Sequence, residues 1–262
     1  MKEIPREYMM PCENGGRLEE MKVPGLSDAT VYLPPKYDGE KGRYPLFILL
    51  HGGGGDQYSF FSVDGILKNM LDHMILSGEM KPMIIAAPSY YQIGRKNEGV
   101  EYAEEAVREF ETILERKILP MIDEKYATVQ DRRYRGIGGF AMGAVATWYI
   151  MMMNGMDYFY WYMPMSGDSW ICGRHGGKMY SRQTASLLAT ALRGKDFMIH
   201  ALAGGQDIGF PNLDPQIQAM MEEYPDVFGG KMTYSVLPEG AYDYADARRY
   251  LYNTLTRIFN EK

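Results

Sequence analysis

The sequence has little of what marks several classes of protein. Cys12 and Cys172 are the two cysteines among 262 residues, too few for a disulfide scaffold or a zinc site. Lys and Arg number 28 against 34 Asp and Glu, a net charge of −6, whereas nucleic-acid-binding domains normally present a basic face. No apolar run approaches the roughly 18 residues that cross a membrane, and the first residues lack the apolar segment of a signal peptide. We therefore predict no nucleic-acid partner, no membrane partner and no signal peptide at the start of this chain.

The residues that are present are those of a globular chain. Hydrophobic residues make up 46% and charged residues 24% of the sequence, enough apolar material for a large core. There is no internal repeat, low-complexity tract or linker-like stretch. We predict a single domain over residues 1–262, in which residues 1–28 form an irregular N-terminal segment.

Short apolar runs alternate with amphipathic segments along the chain. The runs predict strands at Thr30–Leu33, Leu46–Leu50, Met83–Ala87, Tyr134–Phe140, Tyr160–Met165, Phe197–Ala203 and Met232–Leu237. Helical spacing predicts helices at Gly65–Leu76, Glu101–Ile118, Ala144–Met153, Pro215–Glu223 and Tyr244–Phe259. Alternating strands and helices indicate an α/β fold with a mostly parallel sheet covered on both faces. Ligands bind such sheets at the carboxyl ends of the strands, so the loops after the strands are the candidate site.

Two of these loops are rich in glycine. Residues Gly138–Ala144 (GGFAMGA) lie between a strand and a helix, where the nucleophile elbow G-x-S-x-G occurs. Ala141 takes the place of the serine, and we assign the last small residue to Ala144. Small residues also occur wherever a helix packs tightly on a strand, so this stretch alone leaves both interpretations open.

The second loop, His51–Asp56, follows the strand Leu46–Leu50 directly. A loop of this HGGG type can supply one backbone donor to an oxyanion hole, and the residue after the nucleophile supplies the other. The predicted donors are Gly52 or Gly53, together with Met142. A flexible turn is the alternative, whereas a P-loop is excluded because no Gly-Lys-Ser/Thr follows. His51 itself is interpreted as a structural hydrogen-bonding residue.

Two further loops provide positions for an acid and a base. Asp207 follows the strand Phe197–Ala203, where a hydrolase triad places its acid, and the triad histidine belongs in the loop after the last strand. That loop, Pro238–Tyr244, contains Tyr242 and no histidine. The acid position is therefore filled, while the nucleophile and base positions hold Ala141 and Tyr242.

Taken together, these motifs resemble carbohydrate esterase family 1, the feruloyl and acetyl-xylan esterases. Four segments match the layout of that family: Gly138–Trp170, His51–Phe61, Ala203–Asp207 and Ala247–Leu255. The resemblance extends from about Tyr8 to Phe259. It implies an α/β-hydrolase fold, no cofactor and no metal, and a Ser–His–Asp mechanism. It also implies feruloylated or acetylated xylan and hydroxycinnamate esters as substrates, an extracellular location, and neighbouring modules of a multidomain xylan-degrading protein.

The resemblance extends to the binding cleft. We predict that Asp168 and Trp170, at the end of a strand, contact the aromatic acid or sugar, although Trp170 is equally compatible with a core position. Tyr90 and Tyr91 are predicted to form another wall, and His51 is included among the candidate binding residues.

The two departures from the family predict an inactive domain. Alanine has no nucleophile, and the phenol of tyrosine, with an ordinary pKa of about 10, is a poor base near neutrality. The loss is either engineered or that of a natural pseudo-esterase that binds xylan or hydroxycinnamates. A third hypothesis is an active hydrolase with relocated residues, among which His175 is the candidate base.

Overall fold

The structure is a computed structural model that describes residues 1–61 and 65–259. Over these residues one sheet contains eight strands in the order β1-β2-β4-β3-β5-β6-β7-β8. The strands are β1 Arg17–Met21, β2 Ala29–Leu33, β3 Leu46–Leu50, β4 Ile84–Ala87, β5 Arg135–Phe140, β6 Trp161–Met165, β7 Met198–Gly204 and β8 Met232–Leu237. β3 to β8 run parallel to one another, and β1 and β2 pair antiparallel at one edge. The predicted α/β fold with a mostly parallel sheet is confirmed.

Helices connect the parallel strands. They are α1 Ile66–Leu76, α2 Val100–Ile113, α3 Leu119–Lys125, α4 Met142–Met152, α5 Gly155–Tyr158, α6 Gly176–Met179, α7 Ser181–Leu192, α8 Phe210–Glu223, α9 Pro225–Phe228 and α10 Tyr244–Thr254. No helix in residues 1–61 and 65–259 has both the length and the apolar character that crossing a bilayer requires.

The alternation along β3 shows how the sheet separates two cores. Leu46, Ile48 and Leu50 point into one apolar cluster, which α2, α4, α7 and α8 cover. Phe47 and Leu49 point into a second cluster on the other face, which α1 and α10 cover. All five residues of the strand are buried, as a continuous apolar run predicts for a strand covered on both faces. The helices therefore lie on both faces of the sheet, as predicted.

The N-terminal segment corrects one prediction. Residues 1–28 are not wholly irregular, because they contain β1 and a turn of 3-10 helix at Arg6–Met9. In β1, with the sequence RLEEM, Met21 alone is buried. β1 is an edge strand that pairs with β2 alone, so its polar side chains remain in solvent and no apolar alternation marks it.

The helix predicted at Glu101–Ile118 is longer than its pattern indicates. α2 continues through a π-helical turn at Leu114–Ile118 and then into α3. Pro120 follows the π-helical turn as the second residue of α3. Proline has no N–H to donate within a helix, and a wider π-helical turn is a usual place for such an interruption.

Other helix boundaries also differ from the prediction. α8 begins at Phe210, five residues before the predicted start, with Pro211 in its first turn and Pro215 inside the helix. The last helix ends at Thr254 and does not reach Phe259, which has a left-handed φ of 61°. α7 and the four-residue helices α5, α6 and α9 were not predicted. α7 carried an overlooked signal, since its buried residues recur at helical spacing: Thr184, Ala185, Leu188, Ala189 and Leu192.

Candidate active site

Two neighbouring cavities that share lining residues lie at the carboxyl ends of the parallel strands. Together they are called the cleft below. Their volumes are about 440 Å³ and 100 Å³. Both are lined by Ala141, Met142, Trp170, His175 and Tyr242. The larger is also lined by Gly52, Gly53 and Tyr244, and the smaller by Asp168. The structure therefore brings together the predicted nucleophile position, the predicted base position, the glycine loop and the S-G-D-S-W segment.

The turn from β5 into α4 has the geometry of a nucleophile elbow. Ala141 adopts φ 56° and ψ −113°, a conformation that costs a non-glycine residue about 1–3 kcal/mol. The glycines on either side permit the turn: an added Cβ would lie 2.6 Å from the Leu50 carbonyl oxygen at Gly139 and 2.4 Å from it at Gly143. The motif therefore closes on Gly143, not on Ala144 as assigned from sequence. Ala141 occupies a strained position that normally presents a side chain to a ligand.

Gly53 and Met142, two of the predicted backbone donors, line the larger cavity beside Ala141. Met142 is the first residue of α4, where a backbone N–H has no partner within the helix and lies at the positive end of the helix dipole. Gly53 packs directly against it, because an added Cβ on Gly53 would lie 3.2 Å from Met142 Cγ. The N–H of Gly53 makes no hydrogen bond among the described residues, so this pair remains available to an oxyanion.

Tyr244 decides between the two predicted glycine donors. Its hydroxyl accepts a hydrogen bond from the Gly52 N–H at 2.9 Å, so that N–H is already used. The ring of Tyr244 packs edge-on against Phe60 and obliquely against Phe140. The sequence did not predict a role for Tyr244, although it lies two residues after Tyr242 in the loop Pro238–Tyr244, hereafter the base loop. It ties the base loop to the glycine loop.

Asp207 lies buried behind the base position. Its side chain is 3% exposed, and its Oδ1 accepts a hydrogen bond from the Gly209 N–H at 2.6 Å. Its Oδ2 has no hydrogen-bond partner among the described residues. Burial raises the pKa of this carboxyl above its usual value. An unpartnered buried carboxylate oxygen carries a free-energy cost, and a ring N–H at position 242 would be the natural donor to it.

Tyr242 cannot act as the base near neutrality. The residue is 38% exposed, and its ring packs on Phe140 with a centroid separation of 4.9 Å. Burial, and next the nearby Asp207 carboxylate, raise the pKa of Tyr242 to about 12. The phenol therefore holds its proton and has no tendency to take another.

Asp168 and Trp170 form one unit on the floor of the cleft. Trp170 Nε1 donates to Asp168 Oδ1 at 3.1 Å, and the Gly177 N–H donates to Asp168 Oδ2 at 2.8 Å. Burial raises the pKa of Asp168. Trp170 is nearly buried yet lines both cavities, and its ring meets His175 edge-on at 5.4 Å. Trp170 therefore combines the two predicted positions: it packs in the core, and it also faces the cleft.

The remaining candidates lie beneath the glycine loop and line neither cavity. The Tyr90 hydroxyl donates to the Gly52 carbonyl at 3.0 Å, and the Gly54 N–H donates to the Tyr91 hydroxyl at 3.3 Å. His51 Nε2 pairs with Ser89 Oγ at 2.9 Å, and burial lowers the pKa of His51 to about 4. The structure therefore places these side chains as supports of the glycine loop.

The cleft offers hydrogen-bond donors and an aromatic floor. Within residues 1–61 and 65–259, no group of three His, Cys, Asp or Glu side chains is arranged to hold a metal ion. The arrangement can bind a carbonyl or carboxylate group at Gly53 and Met142 beside an aromatic wall. It contains no hydroxyl at the elbow to attack what is bound there.

Comparisons with protein families and with known proteins also indicate an esterase. A family model described as "Putative esterase" matches residues 25–199. Endo-1,4-beta-xylanase Y of Acetivibrio thermocellus is 32% identical over 275 residues, covering 98% of this chain and 24% of that protein. An endo-1,4-beta-xylanase/feruloyl esterase of Xylanibacter ruminicola is 29% identical over 146 residues, covering 54% of this chain and 20% of that protein. The chain thus spans a quarter or less of the length of these relatives.

Solved structures share the fold over almost the whole chain. A serine-to-alanine mutant of the feruloyl esterase module from Clostridium thermocellum, complexed with sinapinate, has 31% identity and a TM-score of 0.84, with 99% of this chain and 94% of that chain covered. A ferulic acid esterase from Anaeromyces mucronatus, in complex with ferulic acid, has 20% identity and a TM-score of 0.74, covering 97% and 96%. At that identity the second likeness concerns the fold alone, which is the α/β-hydrolase fold.

Proposed function

The chain belongs to this esterase family and is a module of the carbohydrate esterase family 1 type, and from that premise we propose that it is a feruloyl-esterase-type domain of plant cell-wall degradation. Its ligands are hydroxycinnamate esters and feruloylated or acetylated xylan. As its sequence stands, it binds these ligands and does not hydrolyse them, because Ala141 and Tyr242 occupy the nucleophile and base positions.

The observation that carries the proposal is the elbow at Ala141. A strained φ of 56° is kept at a residue that gains nothing from it locally. The strain has a use only if the side chain at this position must face the cleft, beside the donors of Gly53 and Met142. On this proposal the elbow, two backbone donors and the acid Asp207 of a hydrolase site surround a methyl group, and Tyr242 replaces the base.

The chemistry of the cleft separates binding from hydrolysis. A bound ester carbonyl oxygen accepts hydrogen bonds from the Gly53 and Met142 N–H groups, which polarise the carbonyl carbon. The methyl group of Ala141 has no lone pair with which to form a bond to that carbon. The protonated phenol of Tyr242 cannot remove a proton from a water molecule in its place. The ester therefore binds, but its ester bond is not cleaved.

A natural pseudo-esterase that acts as a xylan- or hydroxycinnamate-binding module is the alternative form of the proposal. The packing of the Tyr242 ring on Phe140 favours it, because this ring fills the base position with a settled aromatic contact. An engineered loss would leave the parent site otherwise intact. The response of the two positions to reversion separates these origins, as developed in the Discussion.

The experiment is calorimetric titration with methyl ferulate, with product analysis of the same samples. We expect one binding site, no ferulic acid, and loss of binding in Ala141→Leu, which fills the cleft. Ala245→Leu, the same substitution at an exposed α10 position outside the cleft lining, is the matched control. Binding that Ala141→Leu leaves unchanged would show that the ligand lies elsewhere.

We also propose an extracellular location beside other modules of a xylan-degrading protein. The family resemblance supports this proposal, and so does the length of the relatives, of which this chain spans 24% and 20%. Sequencing of the complete gene from its source tests both points: a secretion signal and an adjoining xylanase or carbohydrate-binding region are expected.

A further inference from the structure

Ser166 is the residue after β6, and its backbone conformation is one that favours glycine. Its φ is 57°, in the left-handed region that a residue with a side chain rarely adopts. The backbone is fixed on both sides. The Ser166 N–H donates to the Leu202 carbonyl of β7 at 2.8 Å, and an added Cβ on Gly209 would lie 2.5 Å from the Ser166 carbonyl oxygen. A serine therefore stands where glycine would be less strained, and the hydroxyl is the group that glycine lacks.

The Ser166 hydroxyl lies behind the cleft. The residue lines the smaller cavity, but it is 1% exposed and its Oγ is fully buried. A hydroxyl enclosed in this way cannot attack a ligand in the cleft. Its Oγ has no hydrogen-bond partner among the described residues, and a buried polar group without a partner is unfavourable. The use of this hydroxyl is therefore to be found in the protein around it.

Two further buried polar groups beside Ser166 also lack a partner. They are Oδ2 of Asp207, in the loop after β7, and the hydroxyl of Tyr250, on α10. Burial raises the pKa of both Asp207 and Tyr250, and the Ser166 hydroxyl is the next largest effect on each and lowers it. The hydroxyl is therefore close to both groups. Three unsatisfied polar groups meet at one point of the interior.

We propose that Ser166 is a positioning residue for the acid of the site. Its hydroxyl accepts a hydrogen bond from the Tyr250 phenol and donates one to Asp207 Oδ2, while the Gly209 N–H holds Oδ1 at 2.6 Å. The role of Asp207 as the acid rests on the proposed function, whereas the contact itself does not. The donated hydrogen bond stabilises the ionised carboxylate in an interior that opposes ionisation.

The donors and acceptors of the three groups match this arrangement. A phenol whose pKa is raised keeps its proton near neutrality, so Tyr250 is a donor. A serine hydroxyl can accept one hydrogen bond and donate another, and an ionised carboxylate only accepts. Each carboxylate oxygen has two lone pairs. Asp207 Oδ2 can therefore accept from Ser166 and also from a ring N–H at position 242.

Four titratable groups face Asp207 from the elements packed around it. They are Tyr234 on β8, Tyr242 in the base loop, and Asp246 and Tyr250 on α10. Burial raises the pKa of each of the three tyrosines, so these phenols stay neutral near and below neutrality. Asp246 adds negative charge and raises the pKa of Asp207. None of the four therefore supplies a positive charge that would keep Asp207 ionised.

The test follows the side-chain carboxyl carbon of Asp207 by NMR as the pH of the full chain is varied. Ser166→Ala should raise the pKa of Asp207 by about one unit, a tenfold change in its acid constant, because the ionised form loses a donor. Ser166→Gly should raise it equally, although glycine relieves the backbone. Ser169→Ala is the matched control, because Ser169 lies in the same loop and also has a buried Oγ without a partner. It should leave the pKa of Asp207 unchanged.

The outcomes separate the hydroxyl from the backbone. An unchanged pKa of Asp207 in both Ser166 variants overturns the proposal, and so does a rise in Ser166→Ala that Ser166→Gly does not share. If Ser166→Ala does not fold, Ser166→Gly decides alone. Tyr250→Phe keeps the ring and should raise the pKa by a smaller amount, and no change there overturns the part of the phenol.

The measurement needs neither ligand nor turnover. Its failure would therefore leave the proposed function standing. Failure of the chain to bind methyl ferulate would overturn the proposed function and leave the contact between Ser166 and Asp207 in place.

Discussion

Restoring the two missing side chains should restore ester hydrolysis. The perturbation is the double variant Ala141→Ser with Tyr242→His. The elbow conformation of Ala141 already directs its side chain into the cleft, so a serine hydroxyl would stand beside the donors of Gly53 and Met142. A histidine at position 242 would stand near the unpartnered Oδ2 of Asp207, which can accept its ring N–H and fix its tautomer.

The expected magnitude follows from how such groups act together. The two backbone donors are unchanged by the substitutions, and a donor of this kind contributes about 2.7–4 kcal/mol to transition-state stabilisation. Serine alone lacks a base, and histidine alone lacks a nucleophile. Triad residues act as a unit worth roughly 10⁶-fold in kcat, so each single variant should gain little. The double variant should exceed the sum of the single variants by at least about 10³-fold.

The pH profile provides a check of mechanism. An imidazole with an ordinary pKa of about 6.5 is a base only when it is unprotonated. Activity of the double variant should therefore rise with pH through this region and then level off. Asp207→Asn in the same background should lower kcat, because the tautomer is no longer fixed.

The assay is the initial rate on methyl ferulate for the parent, both single variants and the double variant, each checked for folding by circular dichroism. An engineered loss predicts nearly full recovery, and a natural pseudo-esterase predicts poor recovery from a cleft that has changed elsewhere. A folded double variant that is inactive on hydroxycinnamoyl and acetyl esters alike would refute the reasoning that elbow, oxyanion hole and acid are intact.

Three further substitutions test single contacts. Ala141→Gly should raise the free energy of unfolding by about 1 kcal/mol in denaturant titration, because glycine relieves the strain at this φ, whereas Ala144→Gly inside α4 should lower it; equal losses at both positions would contradict the strain. Tyr244→Phe should speed hydrogen exchange of the Gly52 amide, measured by NMR, and unchanged exchange would exclude the 2.9 Å hydrogen bond. Asp207→Asn should gain stability over the parent as pH rises above about 4, because a raised pKa makes ionisation costly in the folded state; parallel stability–pH curves would contradict that burial.

The fold was largely readable from the sequence because the central strands are marked by burial. Leu46–Leu50 is apolar on both faces, and such a run has few alternatives between glycine- and proline-rich turns. β1 was not predicted, because this edge strand is stabilised by pairing with β2 and has no apolar pattern of its own. The early start of α8 escaped because Pro211 and Pro215 offer two equivalent N-terminal signals, and tertiary packing selects the first.

The sequence predicted which loops form the site. It did not predict which residues of those loops line the cleft and which support the loops from beneath. The elbow motif predicted Ala141 as the nucleophile position, and the fixed chain order of triads on this fold predicted Asp207 and Tyr242 as the acid and base positions. The sequence could not decide between Gly52 and Gly53, since the decision depends on the Tyr244 hydroxyl, a contact across 192 residues. Tyr90, Tyr91 and His51 follow strands as cleft residues do, yet their side chains point beneath the loop, and a sequence does not record that direction.

The most direct test of the central claim is a mass balance on a feruloylated xylo-oligosaccharide incubated with an equimolar amount of the chain. Chromatography then measures free ferulic acid against a buffer blank. The account predicts that the ester is bound and recovered intact, with no ferulic acid above the blank. Release of several equivalents of ferulic acid, persisting through repurification and abolished by His175→Ala, would contradict it and establish relocated catalysis in the cleft.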